Sequence, residues 1–340
     1  MFSIYILTFN EELDIGPCIE SVIQSVSSPQ DLDIVVVDSL SHDRTCEIAS
    51  KYSQTYPVRV IRHPFESHGK QRTWMIRNVE TRYDWAYILE ADERMTSALF
   101  SECLTTVENP CHVGYFAAER VMFMGQWIKH STQYPRYQMR LFDQQKVWFS
   151  DYGHTEREEC DGTTGLLTEI YPHFTQGKGF DRWFDKHNTY SSNEAKETVN
   201  QLQNGQIQWQ NLWFGSREID RRHALKDLSQ RVPFRPLVRW LYMYFILGGI
   251  LDGRAGFTWC TLQAFYEYMI VLKAWEIQYL PVPTLEATLT NLSIDFSANP
   301  SNNSSNNSSN IPTIHSNIDP PSNVPRQSVM RVPEPLLSLR

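Results

Sequence analysis

No two cysteines of this 340-residue chain are spaced C-x-x-C, and none of the six (Cys18, Cys46, Cys103, Cys111, Cys160, Cys260) falls in a metal-finger pattern. A zinc ribbon and a disulfide framework are thereby disfavoured. Cys18 and Cys46 lie in helix-like stretches, which predicts reduced, buried thiols in a cytosolic protein. No basic stretch opens the sequence, and a first strand is expected there in place of a signal peptide. Phe2-Ser-Ile-Tyr-Ile-Leu-Thr8 begins at once as a strand, with no small-residue cleavage site after it. Long apolar runs are missing too. The longest charge-free run of the stretch Leu237–Leu251 is Trp240–Leu251, well short of the ~20 residues that cross a bilayer. Positive charge is scarce: the net charge of −8 argues against a general nucleic-acid binder. Beyond residue 290 three acids (Asp295, Asp319, Glu334) balance three bases (Arg326, Arg331, Arg340), so the whole excess belongs to residues 1–290.

What is present is a 41% hydrophobic, 13% aromatic composition, enough for a sizeable core. Apolar runs at 2–9, 33–38, 57–62 and 85–89 read as buried strands. Between them, Ile15, Ile19, Val22, Ile23 and Val26 recur at helical spacing behind a candidate capping residue, Asp14. Further helices are expected over 45–53 and 70–79. Strands alternating with helices predict βαβ units and a parallel sheet, whose ligands bind outside the carboxyl ends of the strands. From 113 to about 171 short aromatic-rich strands take over (114–120, 136–142, 147–149, 165–171), which suggests antiparallel additions that wall a second substrate. Residues 181–203 read as a polar helix. Two apolar stretches, 237–251 (interrupted by Gly248-Gly249) and 257–272, are flanked by Arg235, Arg239, Arg254 and Lys273. They fit either two closing core helices or a pair lying in a membrane interface. The Asn/Ser-rich segment from 297 cannot bury enough apolar surface to offset ordering, and a disordered tail is expected.

The strand Trp85–Leu89 is followed by Glu90, Asp92 and Glu93, three carboxylates in four positions. Crowded acids repel one another, and a hard cation such as Mg²⁺ or Mn²⁺ would neutralise them. The competing reading is a polar turn in which Glu93 favours the next helix's dipole. Thr8-Phe-Asn10-Glu11-Glu12 and Asp38-Ser39 belong to strand ends on the same sheet edge.

Together these residues resemble the inverting glycosyltransferases of family 2. The likeness rests on Ile6-Leu-Thr8-Phe-Asn10-Glu11-Glu12, on Val37-Asp38-Ser39-Leu-Ser-His-Asp43-Arg-Thr45, on Gly69-Lys70-Gln71-Arg72, and on Leu89-Glu90-Ala-Asp92-Glu93 at the place of the family's metal-binding D-x-D. It extends towards residue 280 through marks similar to a subgroup of bacterial lipopolysaccharide-core glucosyltransferases. These are Gly153-His154-Thr155-Glu156, Lys186-His-Asn188-Thr-Tyr190-Ser191 and Leu251-Asp252-Gly253-Arg254-Ala-Gly256-Phe257. The resemblance implies an α/β GT-A sheet with antiparallel acceptor-side additions and a C-terminal helical extension. It divides the chain into a transferase domain (1–232), an apolar extension (233–290) and the tail (291–340).

The resemblance also implies roles. Asp92 is expected to bind Mg²⁺ or Mn²⁺, with Glu90 on ribose or a metal-bound water, and Lys70 or Arg72 facing the leaving diphosphate. Thr8 and Asp38 are expected at the uracil edge, although Asp38 could equally cap the following turn; Asn10, Glu11 and Ser39 are placed in the same nucleotide-sugar site. Glu156 stands where the subgroup has its base, with Asp151 as runner-up, although a Glu among the acids of 156–159 would ordinarily be solvated. His154 and His173 are candidate metal or phosphate ligands, and Arg140 a diphosphate or acceptor contact. Two departures stand out: Glu90 replaces the first Asp of D-x-D, and Leu40 replaces a frequent small residue. The implied partners are a UDP-sugar donor, a saccharide or glycolipid acceptor and a membrane surface, at the cytoplasmic face of the cell membrane and without nucleic acid. A sugar-1-phosphate nucleotidyltransferase would need a Gly-rich, basic loop after the first strand, and Thr8–Glu12 has neither glycine nor base. A third reading is a catalytically inactive nucleotide-sugar-binding module.

Overall fold

The computed structural model describes residues 1–152, 155–175, 177, 179–204 and 234–280. Its centre is a sheet of eight strands, ordered β10-β5-β7-β4-β1-β2-β3, with β6 (Gln126–Trp127) paired to β5. β1 (Ser3–Thr8), β2 (Ile34–Asp38), β3 (Val58–Arg62) and β4 (Trp85–Glu90) run parallel. Their side chains alternate between two apolar layers. Ile4 and Ile6 meet Ile15, Cys18, Ile19 and Val22 of α1 (Ile15–Gln24), while Tyr5, Val35 and Val37 meet Met75 of α3 (His68–Asn78). Each such aliphatic, buried on both sides of the sheet, contributes about 1.5–3 kcal/mol. α2 (Thr45–Tyr52) and α4 (Ser97–Glu108) complete the first layer.

The acceptor-side additions differ in part from expectation. β7 (Tyr137–Asp143) is antiparallel to both β4 and β5 (Gly114–Phe123), but β10 (Thr164–Phe174) runs parallel to β5. The run Val147–Phe149 extends into a hairpin of β8 (Val147–Tyr152) and β9 (Thr155–Cys160), so Glu156 sits on a strand and not in a solvated loop. Asp14 caps nothing with its side chain; its Oδ1 accepts from Arg94 Nη2 at 2.8 Å. All six cysteines are free thiols, three of them buried.

The polar helix is α5 (Gly179–Asn204). The first apolar stretch breaks into α6 (Arg235–Leu241), a π-helical turn (Tyr242–Ile246) and a 3₁₀ turn (Gly249–Asp252); the second lengthens into α7 (Gly253–Tyr279). Lys273 clasps α7 to α5, donating to the Asn188 carbonyl, Asn188 Oδ1, Ser191 Oγ and Ser192 Oγ within 2.5–2.8 Å. Asp252 holds the loop after β6, accepting from the His130 and Ser131 backbone N–H groups at 2.9 and 2.7 Å and from Ser131 Oγ at 2.7 Å. The glycines around Asp252 permit this packing. A Cβ at Gly256 would be driven into the Gly249 carbonyl oxygen, with Ser131 Oγ 3.0 Å away. Gly256→Ala is expected to lower stability by about 1–3 kcal/mol, the usual cost of overpacking, read as a lower unfolding midpoint in urea at unchanged slope. The expected tail from 291, the 232/233 boundary and His154 lie outside the described residues.

Candidate active site

Two turns at the carboxyl ends of β1 and β2 interlock through side chain to backbone bonds. The Asn10 N–H donates to Ser41 Oγ and the His42 N–H to Asn10 Oδ1, both at 2.8 Å. The Glu11 N–H donates to Thr45 Oγ1 at 2.7 Å, and the Glu12 N–H to Asp43 Oδ2 at 3.1 Å. Asp38 is fully buried and acts as the cap of its own turn: it accepts from the Ser41 N–H at 2.9 Å and from the Ser41 hydroxyl, and pairs with Arg62 Nε at 3.3 Å. Ser39 N–H bonds the Thr8 carbonyl at 2.9 Å. Thr8 Oγ1, just across β1–β2 from Asp38, is buried without a hydrogen-bond partner among the described residues. Leu40 has φ +64°, a left-handed conformation that favours small residues, which explains the residue type it departs from.

The acids after β4 have different fates. Glu93, for which a metal cluster and a helix start were the alternatives, is fully buried: it pairs with Arg140 and accepts the Glu90 N–H at 2.9 Å. Burial pushes its carboxyl up to about 8 against the pull of Arg140. Arg140 also touches the Tyr171 hydroxyl (3.0 Å) and lies 4.0 Å from Glu90. Being itself 0% exposed, it buttresses the cluster from behind and does not open onto a substrate. Glu90 and Asp92 retain exposed carboxylates, 37% and 30%. Asp92 Oδ2 lies 3.3 Å from His173 Nε2, and His173 Nδ1 lies 2.8 Å from Glu119, which in turn pairs with Arg136. Burial opposes a charge on His173, but Asp92 and Glu119 outweigh it and raise its pKa well above the usual value.

The second wall comes from α3 and the β8–β9 hairpin. Ser67 caps α3 by accepting from the Lys70 N–H. Gly69 lets the helix approach the strand: a Cβ there would stand 2.6 Å from the Ser150 carbonyl carbon. This approach delivers Arg72, 3% exposed, between two carboxylates, with Nη2 3.1 Å from Glu90 Oε1 and Nη1 2.6 Å from Glu156 Oε1. The guanidinium also lies over the Phe149 ring. Glu156 Oε2 is buried with no hydrogen-bond partner among the described residues. Burial raises the Glu156 pKa, with Arg72 opposing. Asp151 is exposed and accepts from Ser67 Oγ at 2.8 Å, serving the start of α3. Lys70 faces solvent in an ion pair with Glu66 at 2.9 Å and is not brought to the cluster.

A sheet of this order, with acids at the end of β4 and interlocked turns on β1 and β2, suits a nucleotide-sugar enzyme, and residues 3–164 match the sequence profile of Glycosyl transferase family 2. The chain carries a family 2 glycosyltransferase domain. A curated relative, the lipopolysaccharide core biosynthesis glycosyltransferase LpsC of Rhizobium meliloti, is 25% identical over 284 residues, covering 81% of this chain and 92% of the relative. Among solved structures, Staphylococcus aureus TarS residues 1–349 with UDP-GlcNAc aligns at 14% identity and TM-score 0.42, over 78% of this chain and 91% of that one. The mannosyltransferase PcManGT of Pyrobaculum calidifontis with GDP-Man and Mn²⁺ aligns at 12% identity and TM-score 0.43, over 81% and 87%.

The mostly parallel α/β sheet is the one the sequence implied, and the family 2 match supports sugar transfer from a nucleotide sugar. No group of three or more His, Cys, Asp or Glu able to hold a metal ion exists among the described residues. A single protein carboxylate still suits Mg²⁺ or Mn²⁺ that is shared with a diphosphate and water, and the part-exposed Asp92 carboxylate can supply it. Sequence reasoning missed Glu119, a lone acid in an aromatic strand, and His68. The latter is forced down to about 4 by burial and by Arg72, which keeps a neutral ring beside the transferase's wall. The only signal for Glu119 was that it is the one acid of an otherwise largely apolar strand.

Proposed function

We propose that the transferase moves a sugar from a UDP-sugar to a saccharide or glycolipid acceptor with inversion at the anomeric carbon. The observation that carries this reading is Arg72, whose one guanidinium joins Glu90 on the donor side to Glu156 on the other. The turns at Thr8, Asn10, Glu11 and Ser39 form the nucleotide edge, ordered by Asp38. Asp92 would hold Mg²⁺ or Mn²⁺ against the diphosphate, and the ion would neutralise charge on the leaving group. Glu156 takes the proton of the acceptor hydroxyl through its unbonded Oε2 as that oxygen attacks. Asp151 is the weaker candidate, because it is exposed and engaged by Ser67. The test is a thermal-shift screen of nucleotide sugars with Mn²⁺, followed by turnover of the one that binds. A UDP-sugar should raise the unfolding midpoint only with the metal present. Binding without turnover would favour the inactive module, and no binding by any UDP-sugar would sink the reading.

The same reading places residues 233–290 against a membrane surface. Among the described residues no helix is long and apolar enough to cross a membrane. α7, however, buries two polar side chains among its apolar ones and leaves large apolar side chains exposed. Gln263 and Glu267 are buried, Glu267 paired with Arg235 and Arg239, while Phe257, Tyr268 and Trp275 face outwards about half exposed. Ile246 and Leu251, above 70% exposed, continue this surface. Removing such side chains from water is worth about 1.5–3 kcal/mol each. The full chain is expected to sediment with phosphatidylcholine vesicles containing phosphatidylglycerol, and Ile246→Asp with Trp275→Asp to weaken partitioning at least tenfold. Equal partitioning of wild type and variant would remove the membrane from the account.

A further inference from the structure

Residues 120–142 carry Arg120, Lys129, His130, Arg136 and Arg140 and not one acid, in a chain of net charge −8. Two of these arginines are answered, Arg140 by Glu93 and Arg136 by Glu119, and His130 Nδ1 lies 2.9 Å from Asp252. Arg120 and Lys129 have no carboxylate partner among the described residues. Arg120 Nε is buried without an acceptor, and so is Trp127 Nε1. Buried donors left unmatched cost about 1–3 kcal/mol each, so two on one surface are a demand for acceptor atoms.

The register puts them together. Met122 stands opposite Trp127 across β5–β6, and Ala118 opposite Tyr137 across β5–β7. Arg120, between 118 and 122, therefore shares one sheet face with Trp127 and Tyr137. That is the face of Ala86 and Ile88, hence of Glu90, and the face on which α3 and the β8–β9 hairpin pack. Trp127 and Tyr134 meet edge to face at 5.1 Å, and the Lys129 ammonium lies 5.5 and 5.6 Å from their ring centres. In strand order this ledge lies beyond β4 on the side away from β1, β2 and β3, where the nucleotide turns are. The loop bearing it is pinned by Asp252 to the turn that opens α7.

We infer that Arg120, Trp127, Lys129 and Tyr134 form an acceptor subsite for a saccharide carrying an anionic group. The inference rests on the transferase reading and names its acceptor class. Aromatic faces cover the apolar C–H side of a sugar ring, Trp127 Nε1 and Arg120 Nε donate to its oxygens, and Lys129 meets a phosphate or carboxylate substituent. The acidic remainder of the protein makes this basic ledge selective by contrast.

The test uses the full chain and ligand-observed NMR titration with hexose 6-phosphate, hexuronate, the neutral methyl hexoside and inorganic phosphate, with UDP–Mn²⁺ titrated on every sample. The expected result is that at least one anionic hexose binds at least tenfold more tightly than both the neutral hexoside and inorganic phosphate; which one identifies the substituent. Lys129→Glu should abolish that preference, Lys129→Arg should retain it, and Trp127→Leu should weaken the anionic hexose while sparing phosphate. Equal binding of neutral and anionic hexoses, a preference that survives Lys129→Glu, or phosphate binding as tightly as its hexose ester would each overturn the inference. UDP–Mn²⁺ binding separates the outcomes: if it persists while the ledge fails, the donor reading stands, and if it fails in wild type the donor reading falls by itself.

Discussion

Asp92→Ala is expected to lower sugar transfer by about three orders of magnitude, with the Mn²⁺-dependent rise in thermal stability by UDP lost as well. The physical case is electrostatic. Cleaving the sugar–phosphate bond leaves charge on a diphosphate, and a bound cation there is worth several kcal/mol in the transition state. Glu93 is buried against Arg140 and Glu90, though part exposed, is held by the Arg72 guanidinium, whereas Asp92 is part exposed next to His173. The loss should fall on kcat more than on folding, because Asp92 is 30% exposed and removing it creates no core cavity. Asp92→Asn is the shape control and should be nearly as damaging. Retention of turnover by either variant would show that the leaving group is stabilised without Asp92.

Glu156→Gln is expected to cost about 10²–10⁴-fold in transfer, the range for a positioned general base, while UDP binding persists. Burial raises the Glu156 pKa towards working pH, which strengthens it as a base, and Arg72 limits that rise. Its Oε1 is committed to Arg72 at 2.6 Å and its buried Oε2 has no partner among the described residues, so one oxygen is anchored and the other has a bond left to make. The amide keeps the shape and the contact with the wall but cannot accept the proton. Measuring donor binding alongside transfer separates loss of the base from collapse of the site. Should Asp151→Asn prove the more harmful of the two, the base assignment would move there.

The parallel half of the fold could be read from the sequence because each of its signals is local. Val35, Val36 and Val37 form a strand buried on both faces, and the strand ends carry polar turns by the logic of a βαβ sheet. The place of the strand-end acids was legible, as at Asp92, which the structure puts just past the end of β4 with its carboxylate part exposed. The site was illegible where a role depends on a partner far along the chain. Glu93 meets Arg140 across 47 residues, His173 meets Glu119 across 54, and Glu156 meets Arg72 across 84. Glu156 in particular looked solvated, since Arg157, Glu158 and Glu159 follow it. Only the β8–β9 hairpin, packed on α3 through Gly69, turns it inwards. Lys70 goes the other way: it stands two residues from Arg72 on α3, nearly opposite on the helix, so Arg72 is buried and Lys70 is exposed.

The pairing of β4 with β7 stops early. Trp85, Ala86 and Tyr87 face Asp143, Phe142 and Leu141, whereas β1 stays bonded to β4 as far as Glu90. Above Tyr87 the sheet therefore splays, leaving a notch whose floor is the Arg140–Glu93 pair and whose lip is Glu90. The two flanks of such a notch are mechanically separate. Changes along β5, β7 or β10 can widen or narrow it for a different acceptor without disturbing the register of β1 against β2, on which the nucleotide turns depend.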